Sequence, residues 1–264
     1  MRVSAEPPAP AERRRTPLRS ACGRPHRCPK PLRMRILAQL PILADLTDEQ
    51  LDRIDERLVS LAWSEGESLY TAGEPADHLY VIASGSARAV HTTADGRQTV
   101  VRMLGPGDLF GAIDPAVTEH TESVDALVTT CALRMDAADF RRVLLEHPGV
   151  AVRVLDDVAA RLSAARAEAS ERASTTVAQR VARALLRLIE TFGQPGGSGA
   201  GTLIQLPLSR TDLAGMTGST PESVSRAMSR LRARGIIDSG RQWTSVLDRD
   251  ALAAVARCEQ SAAD

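Results

Sequence analysis

The sequence lacks a net charge, since 33 basic residues balance 33 acidic ones among its 264 residues. A chain that is basic over its whole surface is therefore excluded. Only four cysteines are present, too few for the disulfide framework of a small secreted domain. No apolar run approaches the ~18 residues that a membrane-spanning helix needs. We expect a globular cytoplasmic protein with no membrane partner and with enough chain for one or two buried cores.

The motifs of common enzyme classes are also missing. The sequence contains neither a G-x-S-x-G nucleophile turn nor an H-E-x-x-H zinc-binding helix. Metal oxygenases built on a cupin barrel need two histidines one residue apart to form an open three-ligand site. No His-x-His pair occurs here. These absences argue against an enzyme, and a cupin-like enzyme is kept only as the weakest alternative.

The basic residues are concentrated at the start of the chain. Residues 1–35 carry ten basic side chains and two acidic ones, a net charge of +8, and residues 1–31 contain seven prolines. Because no apolar periodicity accompanies them, we predict a disordered basic arm over residues 1–33. Such an arm would add nonspecific DNA affinity by releasing counterions. The alternative is that translation starts at Met34 and that the arm is never made.

Short β-rich runs dominate the next part of the chain, and they predict an antiparallel barrel or jelly roll. Asp95-Gly96 between two of the runs is typical of a tight hairpin. A helix that Thr47 and Gln50 open with a capping box precedes the strands. We assign residues 34–147 to this domain. The predicted runs are Leu79–Ser84, Ala87–Thr93, Gln98–Leu104, Leu109–Ile113, Ser123–Thr129 and Ala132–Met135.

After a short helix from Asp139 to His147, one long helix is predicted over residues 148–174. Its apolar residues recur at alternating steps of four and three, the spacing of the core positions in a coiled coil. Two interpretations fit this stripe: it lies on the chain's own barrel, or it pairs with the same helix of a second copy. In the second case the seam of the homodimer consists of Leu155, Val158, Leu162 and Ala165.

Residues 175–264 are assigned to a winged helix–turn–helix domain. A helix from Thr176 to Phe192 leads into a glycine-rich stretch, Gly193–Gly201, that predicts a flexible loop. Ser209 then caps one helix, and Thr220 with Pro221 opens a second that reaches Ala233. Thr217-Gly218-Ser219 forms the turn between them, and a hairpin near Ile236–Leu247 forms the wing. With the strands before it, this gives an α+β fold class.

The second helix carries the residues that predict function. It buries a stripe of Val224, Ala227, Met228 and Leu231, whereas residues 220–234 hold four arginines and one glutamate, a net charge of +3. A recognition helix places its N-terminal residues on base edges in the major groove. The predicted base-reading residues are Glu222, Ser223, Ser225 and Arg226. The predicted phosphate contacts are Arg210, Thr211, Thr220 and Arg230. The alternatives are a solvated arginine-rich face and a winged helix that binds protein without specific DNA readout.

The chain resembles the Crp/Fnr family of bacterial transcription regulators from about Leu37 to Val255. The resemblance is carried by Leu79–Gly85, Gly105–Gly111 and Ser209–Arg234, in that order. It implies a β-roll effector domain, a long dimerisation helix and a homodimer whose paired recognition helices read palindromic double-stranded DNA. It also implies RNA polymerase as a partner if the protein activates transcription.

The stretch from Glu222 to Arg226 is similar to the Fnr branch, in which a Glu, a Ser and an Arg at this spacing read a TTGA-type half-site. Pro221 stands where the Crp branch carries a further base-contacting arginine. The resemblance therefore implies a TTGA-type operator rather than a Crp-like one.

The resemblance also indicates where an effector would bind. Family members that bind cyclic nucleotides carry a Glu after the last Gly of their G-D-x-x-G turn and an Arg-Ser pair before the next strand. Here Ala112 follows Gly111, and the later stretch contains Thr121 and Glu122. No Arg or Lys lies between Met103 and Leu133, and a buried phosphate without a cationic partner is costly. We expect an unknown effector at these four residues, and no tight binding of cAMP or cGMP.

The Fnr branch senses its signal through cysteines. Cys22, Cys28 and Cys131 are the weak candidates here for an iron–sulfur cluster or a thiol redox switch. The spacing departs from the branch, because the N-terminal group has two cysteines rather than three. The alternative is that these cysteines are incidental, and no metal site is assigned.

Overall fold

We describe the chain from a computed structural model, which covers residues 28–93, 98–113, 116–172, 174–196, 201–240 and 242–257. Residues 1–27 of the predicted arm and the predicted Asp95-Gly96 turn lie outside these ranges. Within them, no helix combines the length and the apolar character needed to cross a membrane.

Helical structure is present before Met34, the boundary that the sequence predicts. Helix α1 spans Lys30–Gln39, with a proline in its first turn. It is held against α2, Asp48–Asp55, by ion pairs from Lys30 to Asp52 at 2.8 Å and from Arg33 to Asp55 at 2.5 Å. The last basic residues of the predicted arm are helical because they have acidic partners on α2. A one-turn 3₁₀ helix, Pro41–Leu43, joins the two helices.

Eight strands form two four-stranded antiparallel sheets, which confirms the predicted antiparallel β architecture. The strands pair in the orders β1-β8-β3-β6 and β2-β7-β4-β5. The predicted run Ser123–Thr129 is too long, because the paired strand ends at Ala126. The bounds are β1 Val59–Trp63, β2 Ser68–Tyr70, β3 His78–Ser84, β4 Ala87–Thr92, β5 Gln98–Leu104, β6 Leu109–Gly111, β7 Ser123–Ala126 and β8 Thr130–Asp136.

Strand β3 explains why the run Leu79–Ile82 is apolar without alternation. Side chains on a strand point to opposite faces in turn. Leu79 and Val81 pack in a core under the N-terminal helices, whereas Tyr80 and Ile82 pack in the core between the two sheets. Both faces of the strand are buried, so both must be apolar.

The space between the sheets is filled by aromatic side chains. Trp63, Tyr70, Tyr80 and Phe110, four of the seven aromatic residues in the chain, belong to one buried cluster. The rings of Tyr80 and Phe110 stack with centroids 5.4 Å apart, and His120 stacks on Tyr70 at 3.7 Å. Such pairs contribute about 0.5–1.5 kcal/mol beyond the area they bury. This interior is a packed core.

Two helices follow the β-roll: α3, Ala137–Glu146, and α4, Pro148–Arg172. α4 occupies most of the range predicted for the long helix. Val150 and Val154 are buried in the core under the N-terminal helices, and the Arg161 guanidinium donates to the backbone carbonyl of Leu109 at 3.1 Å. One stripe of α4 therefore lies on the chain's own β-roll.

The C-terminal domain has the predicted winged helix–turn–helix order. The predicted loop Gly193–Gly201 is wrong at its start, because Gly193–Pro195 pairs with Thr202–Ile204 as a strand. The elements are α5 Val177–Phe192, β9 Gly193–Pro195, β10 Thr202–Ile204, α6 Arg210–Thr217, α7 Pro221–Ala233, β11 Ile237–Gly240, β12 Trp243–Val246 and α8 Arg249–Arg257. The four strands form a sheet in the order β11-β12-β10-β9.

The core of this domain extends into the β-roll. Val100, Met103 and Leu127 of the β-roll belong to the same buried cluster as the apolar residues of α5, α6 and α7. The two domains of one chain are therefore packed against each other.

Candidate nucleic-acid interface

Helix α7 has the predicted caps and the predicted buried face. The backbone N–H of Ser223 donates to the Thr220 hydroxyl at 3.3 Å, and Pro221 opens the helix. Val224, Met228 and Leu231 are at most 2% exposed. Because these residues recur at helical spacing, the residues between them must face away from the core.

The predicted base-reading residues lie at the N-terminal end of that outer face. Glu222 and Arg226 are exposed one turn apart, and Ser223 and Ser225 are half-buried beside them. The Arg226 guanidinium donates to the Ser223 hydroxyl at 3.2 Å. This bond orients the guanidinium along the first turn of the helix.

Glu222 is held as a carboxylate. Its own backbone N–H and a side-chain hydrogen bond with Thr220 lower the pKa of Glu222, and the charge of Arg226 lowers it further. An ionised acceptor and a guanidinium donor therefore stand side by side on the exposed helix end. A carboxylate can accept from cytosine N4, and a guanidinium can bind guanine O6 and N7.

The four predicted phosphate contacts differ in accessibility. Thr211, Thr220 and Arg230 are exposed. Arg210 is half-buried, and this burial lowers the pKa of its guanidinium. Arg210 lines a cavity of about 340 Å³ between the start of α6 and the wing.

Arg180 of α5 holds the turn between α6 and α7. Its Nε donates to the carbonyl of Thr217 at 2.7 Å, and its Nη2 donates to the Ser219 hydroxyl at 3.1 Å. Its Nη1 reaches the carbonyl of Thr175 at 2.5 Å, just before α5. The sequence carries no signal for this role of Arg180, because two of its three partners are backbone carbonyls. Gly218 completes the turn in the left-handed conformation at φ 58°.

The predicted dimer seam lies on the outside of the chain. Leu155, Val158 and Leu162 are 66%, 39% and 50% exposed, and Ala165 is exposed as well. At 100° per residue this stripe lies about a quarter turn around α4 from Val150 and Val154, which face the β-roll. The helix thus lies on its own barrel with one stripe and leaves the coiled-coil stripe uncovered.

The four predicted effector residues have different neighbours. A Cβ on Gly111, at φ +99°, would lie 2.6 Å from the carbonyl oxygen of His78. Ala112 is 9% exposed, and Thr121 is exposed. Burial raises the pKa of Glu122, against the opposing charges of Arg102 and His91. Gly111 ends a strand of one sheet, whereas Glu122 precedes a strand of the other.

The cysteine candidates are only partly described. Cys22 lies outside the described residues, Cys28 is buried near α1, and Cys131 is half-buried on β8. Within the described ranges, no group of three or more His, Cys, Asp or Glu residues is arranged to hold a metal ion. A cluster at Cys28 or Cys131 would need ligands from elsewhere in the chain.

Comparison with known proteins places both domains. Residues 61–147 match the family described as cyclic nucleotide-binding domain, and residues 179–255 match the Crp-like helix-turn-helix domain. The chain is 30% identical over 194 residues to the "Probable transcriptional activator" of Rhizobium leguminosarum bv. viciae, covering 73% of this chain and 78% of that protein. The chain belongs to the Crp/Fnr family of transcription regulators.

Two further members of the Crp/Fnr family match this chain over nearly the whole of their own length. The "CRP-like cAMP-activated global transcriptional regulator" of Mycobacterium tuberculosis is 28% identical over 226 residues, covering 84% of this chain and 99% of that protein. The solved structure of FixK2 from Bradyrhizobium japonicum matches with a TM-score of 0.67 at 25% identity, over 75% of this chain and 96% of that chain. The α+β fold and the DNA-binding helix–turn–helix are thereby confirmed, and these relatives are regulators rather than enzymes.

The raised pKa of Glu122 predicts a stability that depends on pH. The folded chain holds this proton more tightly than the unfolded chain does, so ionising Glu122 costs stability as the pH rises through its raised pKa. Glu122→Gln should raise the melting temperature of the β-roll by a few degrees at pH 7. The gain should vanish below about pH 4, where the carboxyl is protonated in both states.

Calorimetric melting of both proteins between pH 3.5 and pH 8 measures this difference. Glu119→Gln, a change at an exposed position, is the matched control and should shift the melting temperature little at any pH. A gain that is equal at pH 3.5 and pH 7 would contradict the assignment to ionisation.

Proposed function

We propose that this Crp/Fnr family regulator is a homodimer that reads a palindromic operator with TTGA-type half-sites, under the control of a signal received by the β-roll. The observation that carries this proposal is the exposure of Glu222 and Arg226 one turn apart at the N-terminal end of α7, with Ser223 orienting the guanidinium. The signal is not cAMP or cGMP.

The reading chemistry follows from the two charged groups. Arg226 offers two donors to the O6 and N7 atoms of one guanine, and Glu222 accepts from the N4 of a cytosine nearby. Thr211, Thr220 and Arg230 supply contacts to phosphates, which set the register of the helix without specifying sequence. A winged helix that binds protein would not need a carboxylate kept ionised beside a guanidinium on this end.

The uncovered stripe on α4 supports the homodimer. Leu155, Val158 and Leu162 form an apolar strip on a helix surface, and soluble monomers rarely leave such strips uncovered. The step pattern of four and three fits a left-handed pair of helices. A second copy of the chain brings an identical stripe, so a two-fold axis along α4 covers both. Two-fold symmetry in the protein corresponds to a palindrome in the DNA.

Four features support a signal other than a cyclic nucleotide. Ala112 has no oxygen for a ribose hydroxyl, and Glu122 would repel a phosphate. Arg102, the last basic residue before this stretch, already pairs with Asp108. The interior between the sheets is occupied by stacked rings. We therefore do not extend the cAMP activation named for the mycobacterial relative to this chain.

A redox signal through the cysteines is the second candidate, since the described part of the chain holds the buried Cys28 and the half-buried Cys131. Anaerobic purification that yields a colourless, iron-free protein would remove the iron–sulfur version. A DNA-binding regulator acts in the cytoplasm, and it would contact RNA polymerase if it activates transcription.

Replacing the base-reading arginine tests the operator. Arg226→Ala should weaken binding to a TTGA-type palindrome by about 1–3 kcal/mol and relax the preference at one base pair, because a bidentate guanine contact is lost. Mobility-shift titrations on the palindrome and on its single-base variants measure both effects. Arg234→Ala, at the far end of α7, is the control and should leave base preference unchanged. Unaltered base preference in Arg226→Ala would refute this docking of α7.

Placing a charge in the seam tests the dimer. Leu162→Glu would bring two carboxylates together on the two-fold axis, so the chain should sediment as a monomer and bind the palindrome far more weakly. Ser163→Glu adds the same charge at an exposed position on another side of α4, and it should remain dimeric. A dimeric Leu162→Glu protein would move the interface away from this stripe.

Isothermal titration calorimetry tests the exclusion of cyclic nucleotides. We expect no heat of binding for cAMP or cGMP at micromolar concentrations, because the sequence between Met103 and Leu133 offers no Arg or Lys to the phosphate. Saturable binding of either nucleotide with a dissociation constant in the micromolar range or below would overturn this part of the proposal.

A further inference from the structure

The first helix of the helix–turn–helix is seated directly on the β-roll of its own chain. β5 is the edge strand of its sheet, and α6 packs against it. A Cβ added to Gly215 of α6 would lie 2.7 Å from the backbone N of Val100 on β5. Backbone thus meets backbone at this point, and only a glycine on α6 permits the approach.

The glycine is informative because it is unfavourable for the helix alone. Glycine in a helix interior costs about 0.8–1 kcal/mol relative to alanine, and α6 has only eight residues. The φ of Gly215 lies outside the left-handed region, and the nearest atoms to an added Cβ all belong to Thr99 and Val100 of β5, so the described part of the winged helix domain gives no reason for a glycine here. The close contact with Val100 accounts for the residue. The contact also covers the free edge of β5, where the strand of another chain could otherwise pair.

An ion pair fastens the same helix to the neighbouring strand β4. The Arg88 Nη1 donates to the Asp212 Oδ1 at 2.6 Å, and the Asp212 side chain is only 3% exposed. The other oxygen of Asp212 accepts from the backbone N–H of Ser209 at 2.8 Å and so caps α6. One buried carboxylate therefore both opens the helix and fixes it to the sensor domain. Removing its partner would leave a buried charge unpaired.

Apolar contacts complete the seat. Val100 and Met103 of β5 are buried in one cluster with Leu213 and Ala214 of α6. After β5, Gly105 packs against the ring of Phe192 at the end of α5. The seat thus consists of Gly215 on Val100, Arg88 on Asp212 and this shared apolar cluster.

We propose that Gly215 and Arg88 are positioning residues for DNA recognition. They fix the winged helix domain on the β-roll and thereby set the distance and angle between the two recognition helices of the dimer. The inference rests on the proposed dimeric, palindrome-reading function. The position of α6 fixes the position of α7, because Arg180 holds the turn that joins the two helices at Gly218. The seat on α6 therefore sets where Glu222 and Arg226 stand relative to the two-fold axis.

This role has a specific energetic signature. Both half-sites of a palindrome can be engaged together only if the recognition helices stand about 34 Å apart, one turn of DNA. A correctly spaced second half-site binds at a high effective concentration, and this advantage is lost when the geometry is wrong. Each winged helix alone still reads one half-site. Loss of the seat should therefore lower affinity for the full palindrome and spare affinity for a single half-site.

The test compares wild type, Gly215→Ala and Arg88→Gln on duplexes that carry one half-site or the full palindrome. We expect single half-site affinity within about two-fold of wild type and full-site affinity lowered at least ten-fold in both variants. Alanine favours the helix, so Gly215→Ala should fold, and its half-site binding reports that it has. Because both changes break one seat, the double variant should lose less than the sum of the two.

Two matched controls use the same chemical changes elsewhere. Gly149→Ala adds a methyl group to α4, where nothing lies within 4 Å of the new Cβ. Arg142→Gln removes an ion pair between the exposed Arg142 and the half-buried Asp139. Both controls should keep the full-site advantage of the wild type.

Failure of this inference and failure of the proposed function give different results. If both seat variants keep the wild-type ratio of full-site to half-site affinity, the positioning role is overturned and the operator proposal stands. A rise in full-site affinity would also overturn the positioning role. It would mean that the seat keeps the two recognition helices out of the arrangement that binds the palindrome. If wild type itself binds neither duplex with sequence preference, the proposed function fails first.

Discussion

Burial of the apolar stripe of α7 is the constraint on which the rest of the structure depends. Val224, Met228 and Leu231 occupy the centre of the C-terminal core. A helix of 3.6 residues per turn that buries these positions has no freedom to rotate. Glu222 and Arg226 are exposed for that reason, and the cap at Thr220 and the turn at Gly218 only decide where along the chain the exposed end begins. DNA reading is a consequence of core packing.

Helix α4 carries two apolar stripes, and burial of one fixes the direction in which the other faces. Its first stripe packs Val150 and Val154 on the β-roll, and its second stripe, at Leu155 and Leu162, stays uncovered. A helix with one apolar stripe could belong to a monomer. A helix with two must either expose apolar surface or take a partner, so the architecture of a single chain already contains the argument for a pair.

Local signals in the sequence predicted most helices and strands. The features that were not predicted depend on contacts between residues distant in sequence. The bounds of α7 were predicted correctly because Thr220, Pro221 and Gly235 mark them within the helix itself. The early start of α1 depends on carboxylates about twenty residues away on α2, and β9 forms only because β10 lies beside it. The Arg88–Asp212 pair joins residues 124 positions apart. No periodicity or cap could have indicated that these two residues pair with each other.

The positions of those missed contacts explain how different signals could have one output. Arg88 of the β-roll binds the first turn of α6, and Arg180 binds its last turn. Arg180 also donates to the carbonyl of Thr175, just before α5. A displacement of β4 would reach α6 through Arg88, and a displacement of the start of α5 would reach it through Arg180. Neither route requires a ligand inside the roll, whose interior is filled with rings. A regulator of this fold can therefore exchange its sensing chemistry while α6 continues to place the recognition helix.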